Sequence, residues 1–125
     1  MYQTMSFPLC SRFFSEYRGW FELRNEIKAL GCDGLEGIWS GEDFPADMPK
    51  DLIIGYHLMF YSDWLDFYQE NRTALVQKFG SLEAARSFYG GMGPETLLDQ
   101  YRADLTRAKN LGAKYVVFHV SDNSI

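Results

Sequence analysis

The sequence predicts an α/β fold with a parallel sheet, and two observations support this. The chain twice runs from an amphipathic helix through a Leu-Gly pair into a short apolar strand, at 30–31 and at 111–112. Each predicted strand after the first also carries one polar side chain in an apolar run: Glu36, His57 and His119. Repeated βα units build parallel sheets, whose functional groups collect at the carboxyl ends of the strands. We therefore expect parallel βα repeats that bring these side chains to similar places.

The first half of the chain is assigned from hydrophobic spacing and turn residues. Alternation predicts a first strand that stops at Pro8, because proline cannot donate to a sheet ladder. Apolar residues at three- and four-residue spacing predict a helix, which Gly31 ends. The predicted elements are strand 3–7, helix 16–30, strand 35–39, an irregular crossover at 40–50 with two prolines, and strand 52–58.

The second half opens with aromatic residues at helical spacing, a pattern more typical of core packing than of a binding site. Because this stretch follows a strand on the side that carries the site, its rings can also wall a pocket for a small molecule. A Gly-Gly-Met-Gly run lacks the spacing of a phosphate loop and leads into a helix at Pro94. The predicted elements are helices 73–79, 82–89 and 94–111 and strand 115–120. The candidate substrate-binding residues are Trp39, Phe60, Tyr61 and Trp64.

Composition bounds the class of protein. A chain of 125 residues, 46% hydrophobic, is expected to fold as one domain, 1–125, without an internal boundary. The net charge of −5 disfavours a nucleic-acid partner, because affinity for phosphates comes from Lys and Arg. We see no membrane-spanning run and no secretory signal, so we expect a cytoplasmic protein. Cys10 and Cys32 lie near opposite ends of neighbouring strands and are expected to be reduced thiols.

Alternation along the strands sorts their polar residues onto one face. In the third strand Ile53 and Gly55 share the face of His57, and equivalent alternation puts Glu36 and His119 on that same inner face. A carboxylate and imidazoles can hold a divalent metal that polarises a carbonyl or hydroxyl of a substrate. They can also transfer protons next to a carbonyl. A purely structural role, with backbone carbonyls or an ion pair as partners, stays open for each.

The strand ends DGLEGIW (33–39), IIGYHL (53–58) and YVVFHVS (115–121) resemble the first half of a xylose-isomerase-like TIM barrel. This superfamily contains sugar phosphate isomerases and epimerases and the apurinic endonucleases of family 2. The resemblance spans essentially the whole chain. Glu36 is similar to the glutamate of the family's second strand. His57 and His119 are similar to the histidines that close strands three and four, which in some members bind metal or substrate.

The resemblance implies the first half, about four strands, of a TIM (β/α)8 barrel, which needs eight strands and about 250 residues when complete. We expect either a missing C-terminal half or a homo-oligomer in which a second copy closes the barrel. The implied function is that of a sugar phosphate isomerase/epimerase acting on a small sugar or sugar derivative. Its implied cofactor is a divalent metal (Zn, Mn or Mg) at His57 and His119 once the barrel is completed.

Other interpretations remain. A non-catalytic half-barrel or fragment that self-associates would show no metal-dependent activity. An apurinic-endonuclease-like nuclease is disfavoured by the acidic balance. A doubly wound sheet is the structural alternative, but it would cover both faces with apolar contacts, whereas the inner face carries polar residues. Asp122 after the last strand is either a loop cap or a further site residue.

Overall fold

The described chain contains six α-helices and four strands. The computed structural model describes residues 1–42, 44–59, 61, 63–119 and 122. In chain order its elements are β1 Thr4–Leu9, α1 Ser11–Phe14, α2 Trp20–Ala29, β2 Gly34–Trp39, a 3-10 turn at Lys50–Leu52, β3 Ile53–His57, α3 Trp64–Tyr68, α4 Arg72–Phe79, α5 Leu82–Tyr89, α6 Pro94–Asn110 and β4 Tyr115–Val117. The described residues fall into two compact units: those within 1–59 and 105–118, and those within 60–104 and 119–125. None of these helices is long and apolar enough to cross a membrane.

The four strands form one parallel sheet in the first unit, in the order β1-β2-β3-β4. Strand order follows chain order, as expected when each crossover returns the chain to the neighbouring position. This confirms the predicted α/β fold with a parallel sheet. The predicted helices at 73–79, 82–89 and 94–111 are also confirmed within a residue or two at their ends.

Strand β1 continues through Pro8, so the predicted end at residue 7 is wrong. Pro8 is paired with Ile38 and Leu9 with Trp39. β1 is the first strand in the sheet order and has a partner on one side only. An edge strand tolerates proline because the missing N–H need not face a partner.

The first long helix begins later than predicted. Gly19 has φ 130°, a backbone conformation that residues other than glycine rarely adopt. Helix α2 starts immediately after it, at Trp20. The four-residue helix α1 occupies part of the predicted loop. The C-terminal end agrees with the sequence, because Gly31 follows α2 with φ 72°.

Strand β3 contains an irregularity that regular alternation does not predict. Leu35 of β2 is paired with Ile53, but the next residue, Glu36, is paired with Gly55. The extra residue, Ile54, shifts the alternation, so Ile53 does not share a face with Gly55 as predicted. The pairing of Glu36 with Gly55 nevertheless keeps Glu36 and His57 on one face.

The register defines two faces of the sheet. The inner face consists of Thr4, Ser6, Pro8, Glu36, Ile38, Gly55, His57, Tyr115 and Val117. The outer face consists of Met5, Phe7, Leu9, Leu35, Gly37, Trp39, Ile53, Tyr56 and Val116. Outer-face side chains of β1 to β3 enter a hydrophobic core with Leu23 and Ile27 of α2 and Ala108 of α6. On the inner face Gly55 and Gly34, the partner of Thr4, are buried, and the other residues are half-buried or exposed.

The outer face is not covered at β4. Val116 is 43% exposed, and the core cluster of described residues includes no residue of this strand. The helices that cover the outer face over β1 to β3 therefore leave Val116 partly exposed. β4 is the last strand in the sheet order, beyond the strands that carry the core.

The second unit has an aromatic core of its own. Phe67 of α3 and Tyr89 of α5 are both buried and stack with ring centroids 4.0 Å apart. Asn71 and Ser81 cap α4 and α5, each accepting a hydrogen bond from a backbone N–H three residues later. The predicted aromatic stripe therefore packs mainly as a core, apart from Phe60, which lies outside the described residues.

Gly55 provides a stability test. A methyl group at position 55 would overlap the ring of Tyr115, so we expect Gly55→Ala to lower the free energy of unfolding by about 1–3 kcal/mol, as overpacking does. Urea denaturation of the purified variant measures this loss.

The double variant isolates the cause. In a Tyr115→Ala background, Gly55→Ala has no ring to displace and should be neutral or slightly stabilising, because alanine restricts the unfolded chain. An equal loss in both backgrounds would contradict the proposed overlap.

Candidate active site on the inner face

Tyr115 reaches across the whole inner face from the last strand to the first. Its ring lies over Gly55 of β3, where any side chain would collide with it. Its hydroxyl lies 2.9 Å from Oε2 of Glu36 on β2 and 2.6 Å from Oγ1 of Thr4 on β1. Tyr2 stacks against the ring with centroids 6.4 Å apart. One side chain thus connects all four strands.

The hydrogen bonds of Tyr115 have a defined direction. A phenol has one O–H and donates one hydrogen bond, and the carboxylate of Glu36 can only accept. The Tyr115 hydroxyl therefore donates to Glu36, and the Thr4 hydroxyl donates to the Tyr115 oxygen. The result is a short chain of hydroxyls that ends on the carboxylate and fixes its Oε2 atom.

The environment keeps Tyr115 protonated. Burial raises the pKa of Tyr115, the hydrogen bond from Thr4 lowers it, and the bond to Glu36 raises it again. The net shift is upward. Tyr115 therefore acts as a hydrogen-bond donor to Glu36 across the physiological pH range.

His57 closes β3 on the same face, at the carboxyl end of the strand. Its Nδ1 lies 2.8 Å from the carbonyl oxygen of Leu58. A carbonyl only accepts, so Nδ1 carries the hydrogen, and in the neutral ring Nε2 is the nitrogen with the lone pair. The half-buried imidazole thus has a fixed tautomer, suited to accept a proton or to bind a metal at Nε2.

Glu36 and His57 are diagonal neighbours on the inner face. Residue Ile38, two positions after Glu36, is paired with His57. At about 3.3 Å rise per residue and about 4.8 Å between strands, this separates their Cα atoms by about 8 Å. Both side chains are half-buried. A carboxylate and an imidazole thus lie on one face at a separation that a single small molecule can span.

Trp39, a candidate substrate-binding residue, packs against the core on the other face of the sheet. It lies on the outer face, paired with Leu9. Its Nε1–H donates to the carbonyl of Glu42, and the guanidinium of Arg107 lies 3.5 Å from its ring centroid. Trp39 therefore faces away from Glu36 and His57.

The remaining candidate residues belong to the second unit. Tyr61 is buried among Phe88, Tyr89 and Tyr101, and Trp64 packs edge-on against Tyr68. His119 is exposed and lies beyond the end of β4, not within it. Asp122 is buried, and its carboxylate accepts a hydrogen bond of 2.8 Å from the Leu65 N–H in the first turn of α3. Asp122 is thus a helix cap.

Within the described residues, no three side chains of the His, Cys, Asp and Glu types lie together as a metal site. His57 offers one suitable nitrogen, so a divalent ion there would need ligands beyond those the described part of the chain brings to it. The metal at His57 and His119 stays a prediction.

Sequence reasoning missed Tyr115 and Thr4, although one signal pointed to them. Gly55 stands inside an otherwise apolar strand, and glycine in a strand interior often marks a close approach by another group. Alternation along the last strand puts Tyr115 on the face of His119, but its contacts with Glu36 and Thr4 depend on the register of the whole sheet.

Comparisons with known proteins identify no relative. Neither the scan of protein-family models nor the searches of curated proteins and solved structures match this chain.

The tyrosine network predicts an alkaline loss of stability. Because the folded-state pKa of Tyr115 is raised, its contribution is complete below about pH 10, the ordinary pKa, and is lost as pH rises through the higher folded value. Tyr115→Phe should lower the free energy of unfolding by about 1 kcal/mol at neutral pH. The variant's free energy of unfolding should also fall less steeply than that of wild type between about pH 9 and about pH 11. Urea denaturation across this range measures both effects.

Tyr17 and Tyr89, whose pKa values are raised to about 12, contribute equally in both proteins and serve as an internal reference. Identical slopes against pH in the two proteins would show that the Tyr115 network has no such role.

Proposed function

We propose that this chain is a sugar phosphate isomerase/epimerase-like protein that acts on a small sugar or sugar derivative, and that its sheet is the first half of a TIM (β/α)8 barrel. One observation carries the proposal. Glu36 and His57 share the half-exposed inner face as diagonal neighbours, each held by its own hydrogen bond. A base and a proton-transferring carboxylate at this spacing suit chemistry next to a carbonyl.

In the proposed reaction His57 is the base. Its Nε2 takes the proton from the carbon next to the sugar carbonyl, and the electron pair of that C–H bond forms the double bond of an enediolate. The bond from Nδ1 to the Leu58 carbonyl holds the ring and supports the positive charge that develops on it. The imidazolium then returns the proton to the former carbonyl carbon.

Glu36 moves the second proton. Its carboxylate accepts the proton of the neighbouring sugar hydroxyl and delivers it to the former carbonyl oxygen, so that the carbonyl reappears on the adjacent carbon. Tyr115 donates to Oε2 and leaves Oε1 as the oxygen for this transfer. Tyr115 is therefore a positioning residue, and Glu36 and His57 are the catalytic residues of the proposal.

Hydrogen exchange tests the reaction without knowledge of the product. In deuterium oxide, proton NMR follows the loss of the C–H signal next to the carbonyl in a panel of aldoses, ketoses and their phosphates. We expect wild-type protein to accelerate exchange of at least one of them. His57→Gln and Glu36→Gln should each slow that exchange by at least about a hundredfold, because each removes a proton-transfer group.

Glu83→Gln is the matched control, because Glu83 is an exposed carboxylate of the first turn of α5 and should leave exchange unchanged. Circular dichroism confirms that each variant is folded. Exchange that survives in folded His57→Gln protein, or wild-type exchange no faster than buffer across the panel, would refute the proposal.

A second candidate function is self-association as a half-barrel, favoured by the exposure of the inner face. Parallel sheets normally have both faces covered. Here the inner face is mostly half-buried or exposed, and β1 and β4 each pair on one side within the described sheet. A two-fold axis along the strands would place β4 of one copy beside β1 of a second in parallel orientation, which closes the inner faces against each other.

Sedimentation analysis tests this assembly. Wild-type protein is expected to be a dimer, and Ile38→Lys, which puts a charge on the inner face, should make it a monomer because burying an unpaired ammonium is costly. Phe21→Lys changes a side chain that is 78% exposed on α2 and should remain dimeric. A monodisperse wild-type monomer would exclude the dimer while leaving the exchange experiment unaffected.

A further inference from the structure

A cleft lies on the outer-face side of the sheet, opposite the inner face. Its volume is about 250 Å³, and it opens beyond the carboxyl ends of β1 and β2. We call it the aromatic cleft and define it by four of its lining residues: Phe14, Tyr17, Trp20 and Asp47. Phe14 and Tyr17 both pack on Phe7, an outer-face residue, so the aromatic cleft is separated by the sheet from Glu36 and His57.

The rings of the aromatic cleft are held in place by the core. Phe14 packs edge-on against Trp20 with centroids 4.9 Å apart, and against Phe7 at 5.0 Å. Tyr17 lies 6.1 Å from Phe7. Phe14 is buried, whereas Tyr17 and Trp20 are half-buried and keep part of their surface for the cleft. Three aromatic rings thus line one small space in a fixed arrangement.

One carboxylate lines this space. The indole N–H of Trp20 donates to Oδ2 of Asp47 at 2.9 Å, which fixes a negative charge at the rim. The Glu26 carboxylate at the Tyr17 hydroxyl, then burial, and then the charges of Glu26, Glu16 and Glu22 raise the pKa of Tyr17 to about 12. The cleft therefore carries a fixed negative charge at Asp47.

We propose that the aromatic cleft binds a small quaternary ammonium ion of the choline type. Ring faces attract cations through their quadrupoles, and aromatic cages recognise methylated ammonium groups in this way. Methyl groups suit the largely apolar lining, whereas a primary ammonium would lose its hydration there. The fixed carboxylate of Asp47 adds charge complementarity. This site is separate from the inner face and does not depend on the proposed isomerase activity.

The first experiment compares choline with its neutral carbon isostere, in which a tert-butyl group replaces the trimethylammonium group. Calorimetric titration measures both affinities, and the NMR signal of the Trp20 indole N–H reports binding at this place. We expect choline to bind about tenfold or more tightly than the isostere, because only the cation gains from the ring faces and from Asp47. Equal affinities, or no shift of the Trp20 signal with choline, would overturn the proposal.

Matched variants identify the contributing groups. Tyr17→Phe keeps the ring and should retain most of the choline affinity, whereas Tyr17→Leu removes the ring and should weaken binding several-fold. Asp47→Asn keeps an acceptor for the indole N–H but removes the charge, and should weaken choline binding without changing that of the isostere. The choline affinities of the three variants are compared only if thermal denaturation shows that the proteins are equally stable. If folded Tyr17→Leu and Asp47→Asn proteins bind choline like wild type, the assignment is wrong.

Discussion

The inner face of this protein depends on the path of one side chain. Tyr115 starts on β4, passes over Gly55 and ends between β2 and β1. A ring can take this path only where the intervening strand has no side chain. The hydroxyl can then bond Glu36 and Thr4 together because it donates to one and accepts from the other. These two hydrogen bonds therefore connect the sheet across its full width on this face.

The two faces of the sheet have different chemistry for a simple reason. The outer face supplies the apolar side chains of the core, and helices cover it over β1 to β3. The inner face has no such cover from the described residues and carries a carboxylate, an imidazole and hydroxyl groups. Polar groups at a partly solvated surface keep the freedom to exchange water for a ligand, whereas groups in the core do not. We therefore place the two proposed sites on different sides of the sheet.

Local patterns in the sequence predicted most elements, and long-range geometry caused the misses. Helices α4 to α6 have clear periodicity and end signals, and β2 lies between Gly31 and a polar loop. The predicted end of β1 before Pro8 is wrong because a strand can contain proline when it lies at the edge of the sheet, and the sequence does not show which strand is at the edge. Alternation correctly placed Glu36 with His57, but the extra residue in β3 moved Ile53. Tyr115 was missed because no local pattern encodes a contact across three neighbouring strands.

The contacts of Tyr115 also have a consequence for how the chain folds. Its hydroxyl joins residues that are 111 and 79 positions away in sequence. Closing such long loops costs entropy that no local contact repays, so these bonds form after the strands have already paired. Interactions that appear late in folding mainly set the rate of unfolding. The hydrogen bonds of Tyr115 on the inner face therefore contribute little to the rate of folding and much to the lifetime of the folded sheet.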